Sequence, residues 1–175
     1  MAFDETTTIS HPPEQVFSGL MNHDFHIYAS DAFRAELNEF STNPSQPAPS
    51  DTVSVNIQRT VNGEDVATRL PSAIQRFAKG KIQIHQDEAW SAAAEDGSRD
   101  ANVTIKVPVA KATATATINL SPTEDGTATV VKTEGSVQSS IPLVGSKIAQ
   151  MAEPQVGKLL NGLTVRLDTW LKKSS

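Results

Sequence analysis

The feature that most constrains the fold is a long amphipathic stretch near the carboxyl end, at residues 141–173. Its apolar residues recur at helical spacing and form one stripe, made of Ile148, Ala152, Val156, Leu159, Leu163, Leu167 and Trp170, with Ala149, Leu160 and Leu171 beside it. A helix of some 25 residues rises about 1.5 Å per residue, so it is roughly 40 Å long and crosses a whole small domain. The stripe therefore predicts a long helix that lies along a hydrophobic surface.

Most of the chain before this helix alternates with a period of two, which is typical of half-buried strands. The alternating apolar residues are Val53, Val55 and Ile57; Ile82 and Ile84; Val103, Ile105, Val107 and Val109; and Ala112, Ala114 and Ala116. A proline-rich loop at 43–51 and turns at 94–100 and 122–126 separate the predicted strands, and Asn62-Gly63 predicts a further turn. Residues 70–77 are interpreted as a short helical or looped crossing, and Gly135 as the site of a bulge.

Two short helices are predicted directly after a first strand at residues 3–10. The first begins around Ser10-His11-Pro12-Pro13, because prolines fit the first turn of a helix, and the second runs from Phe25 to Ala35. The order is thus one strand, two short helices, about six mostly antiparallel strands and one long helix. Helices segregated to the ends of a set of strands indicate the α+β class, and we expect residues 1–175 to form a single domain.

Composition excludes several classes of function. The hydrophobic content of 38% fits a globular protein, and the net charge of -5 without a dense basic run argues against nucleic acid or an anionic membrane as the main partner. Without cysteine, a disulfide framework, a thiol nucleophile and a cysteine-rich zinc site are impossible. The polar amino terminus is not a secretory signal, and no stretch reaches the ~18 apolar residues of a membrane span. We therefore expect a cytoplasmic protein without stable membrane insertion.

Three local segments carry a resemblance to a known superfamily. They are TTTISHPPEQVF at residues 6–17, the tryptophan that ends a middle strand (Trp90), and IPLVGSKI at residues 141–148. With the order of elements, they resemble the START and birch-pollen-allergen (SRPBCC) superfamily, and in particular its bacterial branch called domain of unknown function 2505. The resemblance implies a helix-grip fold, in which a curved antiparallel sheet of six or seven strands wraps around the long helix and leaves a cavity between them. It implies no catalytic motif and no cofactor.

The leading functional hypothesis is binding of a hydrophobic or amphipathic small molecule, such as a lipid, in that cavity. The predicted lining residues are Val53, Val55, Ile57, Ile84, Val103, Ile105, Val107, Ala114, Val156, Leu159 and Leu163. The small side chains of Ala112, Ala114 and Ala116 either leave room for the ligand or let the sheet approach the helix closely. Pro154 is expected to kink the long helix or to mark its true beginning, and Gly157 and Gly162 indicate a flexible or closely packed helix.

Two alternatives stay open: an enzyme that acts on an apolar substrate in the same cavity, and an interaction module without a cavity. An enzyme requires a buried titratable group with a shifted pKa, and the candidates are His85, Glu88 and Arg59. Alternation turns His85 toward solvent, whereas Arg59, Arg76 and Glu88 either orient a polar ligand group or are surface charges. No hydrolase elbow, phosphate loop or zinc-protease motif is present.

His23 and His26, which lie three residues apart, are candidate metal ligands. Two histidines at this spacing share one face of a helix, but no third ligand is identifiable at a suitable separation. The sequence therefore predicts no metal site and no catalytic residue.

Overall fold

A seven-stranded antiparallel sheet forms the body of the protein. The structure is a computed structural model that describes residues 2–67 and 75–174. The strands are β1 (Ala2–Ile9), β2 (Ala35–Asn43), β3 (Val53–Asn62), β4 (Lys81–Trp90), β5 (Arg99–Val107), β6 (Ala112–Pro122) and β7 (Thr129–Ser139). They lie in the order β1-β7-β6-β5-β4-β3-β2, so that β1 and β2 are the two edges.

Four α-helices accompany the sheet in the described part of the chain: α1 (Pro13–Leu20), α2 (His23–Ala32), α3 (Gly63–Ala67) and α4 (Gly145–Ser174). The long helix α4 packs against β7 and β1 and touches α1 and α2. The predicted α+β helix-grip architecture is therefore confirmed: seven strands, one long carboxy-terminal helix and two short helices after the first strand.

Helix α1 begins where the sequence predicts, whereas α2 begins at His23, two residues before the predicted start, and ends early. Pro13 occupies the first turn of α1, and the side chain of Asn22 caps α2 by accepting a hydrogen bond from the Asp24 amide at 2.8 Å. Arg34 has a φ of 57°, which terminates the helix, and Ala35 already belongs to β2. The predicted extension of this helix to Ala35 is wrong because periodicity does not reveal a left-handed residue.

Two details of the sheet also differ from expectation. Asn62-Gly63 does not form a hairpin turn, because Gly63 starts α3 and a longer connection leads to β4. Gly135 is not a bulge: it pairs in register with Phe3 and Ala116, and a Cβ there would lie 2.4 Å from the Thr115 carbonyl oxygen. The irregularity in register lies instead between Leu37 and Glu39 of β2. The predicted crossing at 70–77 lies largely outside the described residues.

Helix α4 continues through Pro154, which is exposed and lies well inside the helix, so it does not mark the beginning. The most buried positions of the second half are Gly157, Leu160, Leu163, Thr164 and Leu167. The buried face of α4 is thus rotated toward Leu160 relative to the predicted apolar stripe. Close packing explains the rotation, because a Cβ on Gly157 would lie only 3.2 Å from the Cβ of Phe3.

The hydrophobic core lies between the inner face of the sheet and the helices α1, α2 and α4. Phe25, Ile9, Ile57, Leu120 and Leu167 are its largest fully buried apolar side chains. Within the described residues, no helix combines the length and the apolar character needed to cross a bilayer.

Candidate functional site

A cluster of polar side chains is buried on the inner face of β3 and β4, beneath α2. It consists of His26, Ser30, Arg59, Gln86, Glu88 and Trp90, which are between 1% and 9% exposed. We call this group the interior polar cluster. Burying so many polar groups is costly unless each finds a partner, so their hydrogen bonds decide what the cluster can do.

Arg59 is the centre of the cluster, and its donors within the described residues all reach side chains. Its Nε donates to Ser30 Oγ at 3.3 Å, and one terminal nitrogen donates to Gln86 Oε1 at 3.0 Å. The other terminal nitrogen lies 3.5 Å from His26 Nδ1. Burial lowers the pKa of Arg59, and the nearby carboxyl of Glu88 opposes this shift.

Glu88 completes the cluster on the side away from Arg59. Its Oε2 accepts a hydrogen bond from Gln86 Nε2 at 2.5 Å, and its Oε1 accepts one from Trp90 Nε1 at 2.8 Å. Burial nevertheless raises the pKa of Glu88, against the two hydrogen bonds and the charge of Arg59, which lower it. Gln86 therefore bridges a buried cation and a buried carboxyl that favours its neutral form.

Both ring nitrogens of His26 have partners. Nε2 lies 2.7 Å from the Leu20 carbonyl oxygen and donates to it, which leaves Nδ1 to accept from Arg59. Burial lowers the pKa of His26 from 6.5 to about 4, although the bond to Leu20 favours the charged form. His26 is consequently a neutral imidazole near pH 7, and its nitrogens are engaged within the protein rather than paired with His23.

An internal cavity of about 30 Å³ borders this cluster. His26, Gln86, Glu88 and Trp90 form one wall, and Leu160, Leu163, Thr164 and Leu167 of α4 contribute another. The remaining lining residues come from α1 and from strands β1, β6 and β7, and they are Ile9, Val16, Leu20, Ile118, Leu120, Val131 and Thr133. The result is an apolar space with polar groups on one wall, which is the usual composition of a small-molecule site.

The eleven predicted lining residues fall into three groups. Leu163 lines the cavity. Val53, Val55, Ile57, Val103, Ile105 and Ala114 are buried in the core, and Ile84, Val107, Val156 and Leu159 are half-buried. Their role as a ligand lining stays a prediction.

The small side chains of β6 do not border the cavity, although Ala112, Ala114 and Ala116 are buried on the inner face. The cavity lies at the other end of the strand, against Ile118 and Leu120. This cavity therefore gives no support to the interpretation in which the alanines leave room for a ligand.

The sequence contains a signal for the cluster in the alternation of the strands, beyond the two members, Arg59 and Glu88, that are candidates from their charge. Gln86, Glu88 and Trp90 continue the inward alternation of Ile82 and Ile84, and Arg59 continues that of Val53, Val55 and Ile57. Polar residues on an inward-facing register are candidates for a buried site. His85 has the opposite register, as predicted, and is only half-buried on the outer face.

The sequence matches the family described as a protein of unknown function (DUF2505) over residues 4–171. The chain belongs to the DUF2505 family. No curated protein is detectably similar in sequence to this DUF2505 member.

Solved structures show the same fold at low sequence identity. A START superfamily protein from Mycobacterium smegmatis has 11% identity and a TM-score of 0.55, with 99% of each chain covered. The Zhui aromatase/cyclase from Streptomyces sp. R1128 has 10% identity and a TM-score of 0.57, with 99% of this chain and 94% of that chain covered. A truncated norcoclaurine synthase from Thalictrum flavum has 7% identity and a TM-score of 0.53, with 98% and 92% covered. The DUF2505 chain therefore shares its fold with the START-like superfamily.

Proposed function

We propose that this protein binds a small molecule with an apolar body and a polar group in the space between the sheet and α4. The polar group meets Glu88, Gln86 and His26, and the apolar body contacts the surrounding aliphatic side chains. The observation that supports this most strongly is the interior polar cluster on one wall of an otherwise apolar cavity.

The energetic cost of the cluster supports a functional role. A buried pair of opposite charges is often no more stabilising than hydrophobic residues of similar volume, because the cost of desolvation offsets the attraction between the charges. Arg59 and Glu88 are both buried, at positions where aliphatic side chains could fill the same space. Perturbed titratable groups of this kind are concentrated at functional sites.

The size of the cavity implies that the ligand widens it. A space of about 30 Å³ holds only one or two waters. The half-buried residues Ile84 and Val107 on the sheet and Val156 and Leu159 on α4 would supply further apolar lining. Apolar contact then provides most of the affinity, at roughly 25 cal/mol per Å² before the cost of opening.

A second candidate function, catalysis on an apolar substrate, is favoured by Glu88. Its raised pKa lets a protonated carboxyl face the cavity, where it could donate to a substrate carbonyl or hydroxyl. Two proteins of the same fold are named as an aromatase/cyclase and a norcoclaurine synthase. At 7–10% identity they support the fold, so the catalytic proposal depends on Glu88 itself.

Native mass spectrometry of the protein purified from its own host, with solvent extraction of any adduct, tests binding and names a chemical class. We expect a one-to-one adduct with an apolar body, retained by Asp87→Asn and diminished by Glu88→Gln. Asp87 is a matched control because it is the exposed, outward-facing neighbour of Glu88. A bare mass, together with failure to bind a fluorescent fatty-acid probe, contradicts the proposal. An adduct that accumulates as a chemically altered product during incubation favours the enzyme.

A further inference from the structure

Two exposed aliphatic side chains lie at the end of the sheet where α4 begins. Leu143 is 103% exposed relative to a reference residue and has a φ of 72°, a conformation that non-glycine residues rarely adopt. Val109 is 46% exposed in the turn between β5 and β6. Leu143 therefore projects from the protein instead of contributing to the core.

Hydrogen bonds join the two turns that carry these side chains. Ser139 Oγ donates to the Ala110 carbonyl oxygen at 2.7 Å, and the Ser140 amide donates to the Lys111 carbonyl oxygen at 3.1 Å. The turn at Arg76–Ala78 packs against the turn at Pro108–Ala110. Leu143 and Val109 consequently belong to one continuous surface, built from fixed turns.

Exposed lysines surround this surface, and we call the whole region the lysine end: Lys79, Lys81, Lys106, Lys111 and Lys147, with Val109 and Leu143. Within residues 2–67 and 75–174, none of the five lysines forms a salt bridge. Exposed acids at this end include Glu64 and Asp65 of α3 and Glu36 at the start of β2. The exposed Arg34 and Arg76 add to the five lysines, so the region has an excess of positive charge. The opposite end of the sheet, which we call the acidic end, has Glu95, Asp96, Asp100, Glu124 and Asp125 exposed.

We propose that the lysine end docks reversibly on an anionic lipid bilayer, with Leu143 and Val109 entering the headgroup region. Lysines near an anionic surface gain electrostatic attraction, and a projecting aliphatic side chain adds apolar burial. Leu143 projects from the surface and needs no matching pocket at a fluid interface, and among the described side chains this end has no exposed aromatic ring on which nucleic-acid bases could stack. The acidic end would face away from the membrane, which fixes the orientation of the bound protein.

Flotation with vesicles measures this docking directly. We expect the protein to bind vesicles of phosphatidylcholine with about one third phosphatidylglycerol, and to bind pure phosphatidylcholine far less. Each lysine removed from the lysine end should weaken binding roughly fivefold, and high salt should weaken it further. Leu143→Ser should also weaken binding at least fivefold, and it should leave the fold intact because the side chain is fully exposed.

Matched variants distinguish a specific surface from general charge. Lys111→Gln with Lys147→Gln removes two charges from the lysine end, whereas Lys132→Gln with Lys158→Gln removes two exposed charges elsewhere. The proposal predicts a loss only for the first pair. Three results would overturn the proposal: failure to float with anionic vesicles, equal losses for both pairs, and unchanged binding of Leu143→Ser. The last result would indicate a surface that binds any polyanion. Glu88→Gln should float normally, so this test is independent of the interior ligand site.

Discussion

Arg59 and Arg99 are both buried, at 4% and 5% exposure, and burial lowers the pKa of both, but they have opposite kinds of partner. Arg99 donates to four backbone carbonyl oxygens, those of Asp51, Ser91, Ala48 and Pro49, at 2.9–3.4 Å. Its guanidinium also lies 3.8 Å from the ring centroid of Phe17. Arg59 donates to side chains of the interior polar cluster, at Ser30, Gln86 and His26.

Under the proposed function, the difference separates an arginine with a structural role from one that supports a ligand site. Backbone carbonyls are fixed by the fold, so Arg99 closes the proline-rich loop against β5 and cannot respond to a ligand. The partners of Arg59 can rotate, and Glu88 can change its protonation state. The two arginines are connected through aromatic contacts, because Phe17 packs edge-on against Trp90, which donates to Glu88. Arg99 thus supports the proline-rich loop, and Arg59 belongs to the interior polar cluster.

The largest expected effect is on Arg99. Arg99→Ala leaves four carbonyls without a charged donor and removes the contact with Phe17, so it should lower the free energy of unfolding by about 3 kcal/mol or more. Urea denaturation measures the change. A loss below about 1 kcal/mol would contradict the structural role of Arg99, because its bonds to the four carbonyls would then be dispensable.

The next effect is the pH dependence contributed by His26. Its folded pKa, about 4, lies below the ordinary 6.5, so its contribution to stability is complete above pH 6.5 and is lost as the pH falls toward 4. The loss should reach about 3 kcal/mol at pH 4. Comparison of the wild type with His26→Gln by urea denaturation at several pH values isolates it, and identical slopes in the two proteins would contradict a buried neutral imidazole.

Arg59→Met should cost less stability than Arg99→Ala, about 1–2 kcal/mol, because every partner of Arg59 is neutral or can become neutral by protonation. Its main effect should be on ligand binding. A fluorescent fatty-acid probe should lose about tenfold or more in affinity, since Arg59 holds Gln86 and His26, which line the cavity. Loss of stability equal to that of Arg99→Ala, with unchanged probe affinity, would assign a structural role to both arginines.

The smallest effect is expected one residue from Glu88, on the outer face of the same strand. Asp87→Asn should change the free energy of unfolding by less than about 0.5 kcal/mol, because Asp87 is exposed and its bond from Asn56 is a surface contact. Thermal denaturation checks this value. A larger loss would show that the outer face of β4 is not a neutral control.

Much of the fold could be predicted because two periodicities dominate the sequence. Alternation in Val53, Val55 and Ile57 and in the strands that follow indicates the sheet, and helical spacing after Gly145 indicates α4. The end of α2 could not be predicted, since the left-handed backbone conformation of Arg34 has no sequence signature. The phase of α4 depends on a close contact between Gly157 and Phe3, which are far apart in the sequence.

The candidate site was only partly predictable. Arg59 and Glu88 could be recognised as possible partners of a ligand, but whether they are buried depends on strand register and on α2 covering them. His26 could not be connected to Arg59 at all, because 33 residues separate them in the chain. Net charge misleads in a similar way, since a total of -5 conceals the separation between the lysine end and the acidic end.

The most direct test of the central claim is the affinity of a fluorescent fatty-acid probe as a function of pH in the wild type, Glu88→Gln and Asp87→Asn. Because the pKa of Glu88 is raised above its ordinary 4.5, the carboxyl is neutral at low pH and ionises as the pH passes the raised value. The anionic probe should therefore bind the wild type and Asp87→Asn more weakly as the pH rises, whereas Glu88→Gln should lose this dependence. Three identical pH profiles, or no saturable binding to any of the three proteins, would contradict a ligand site at the interior polar cluster.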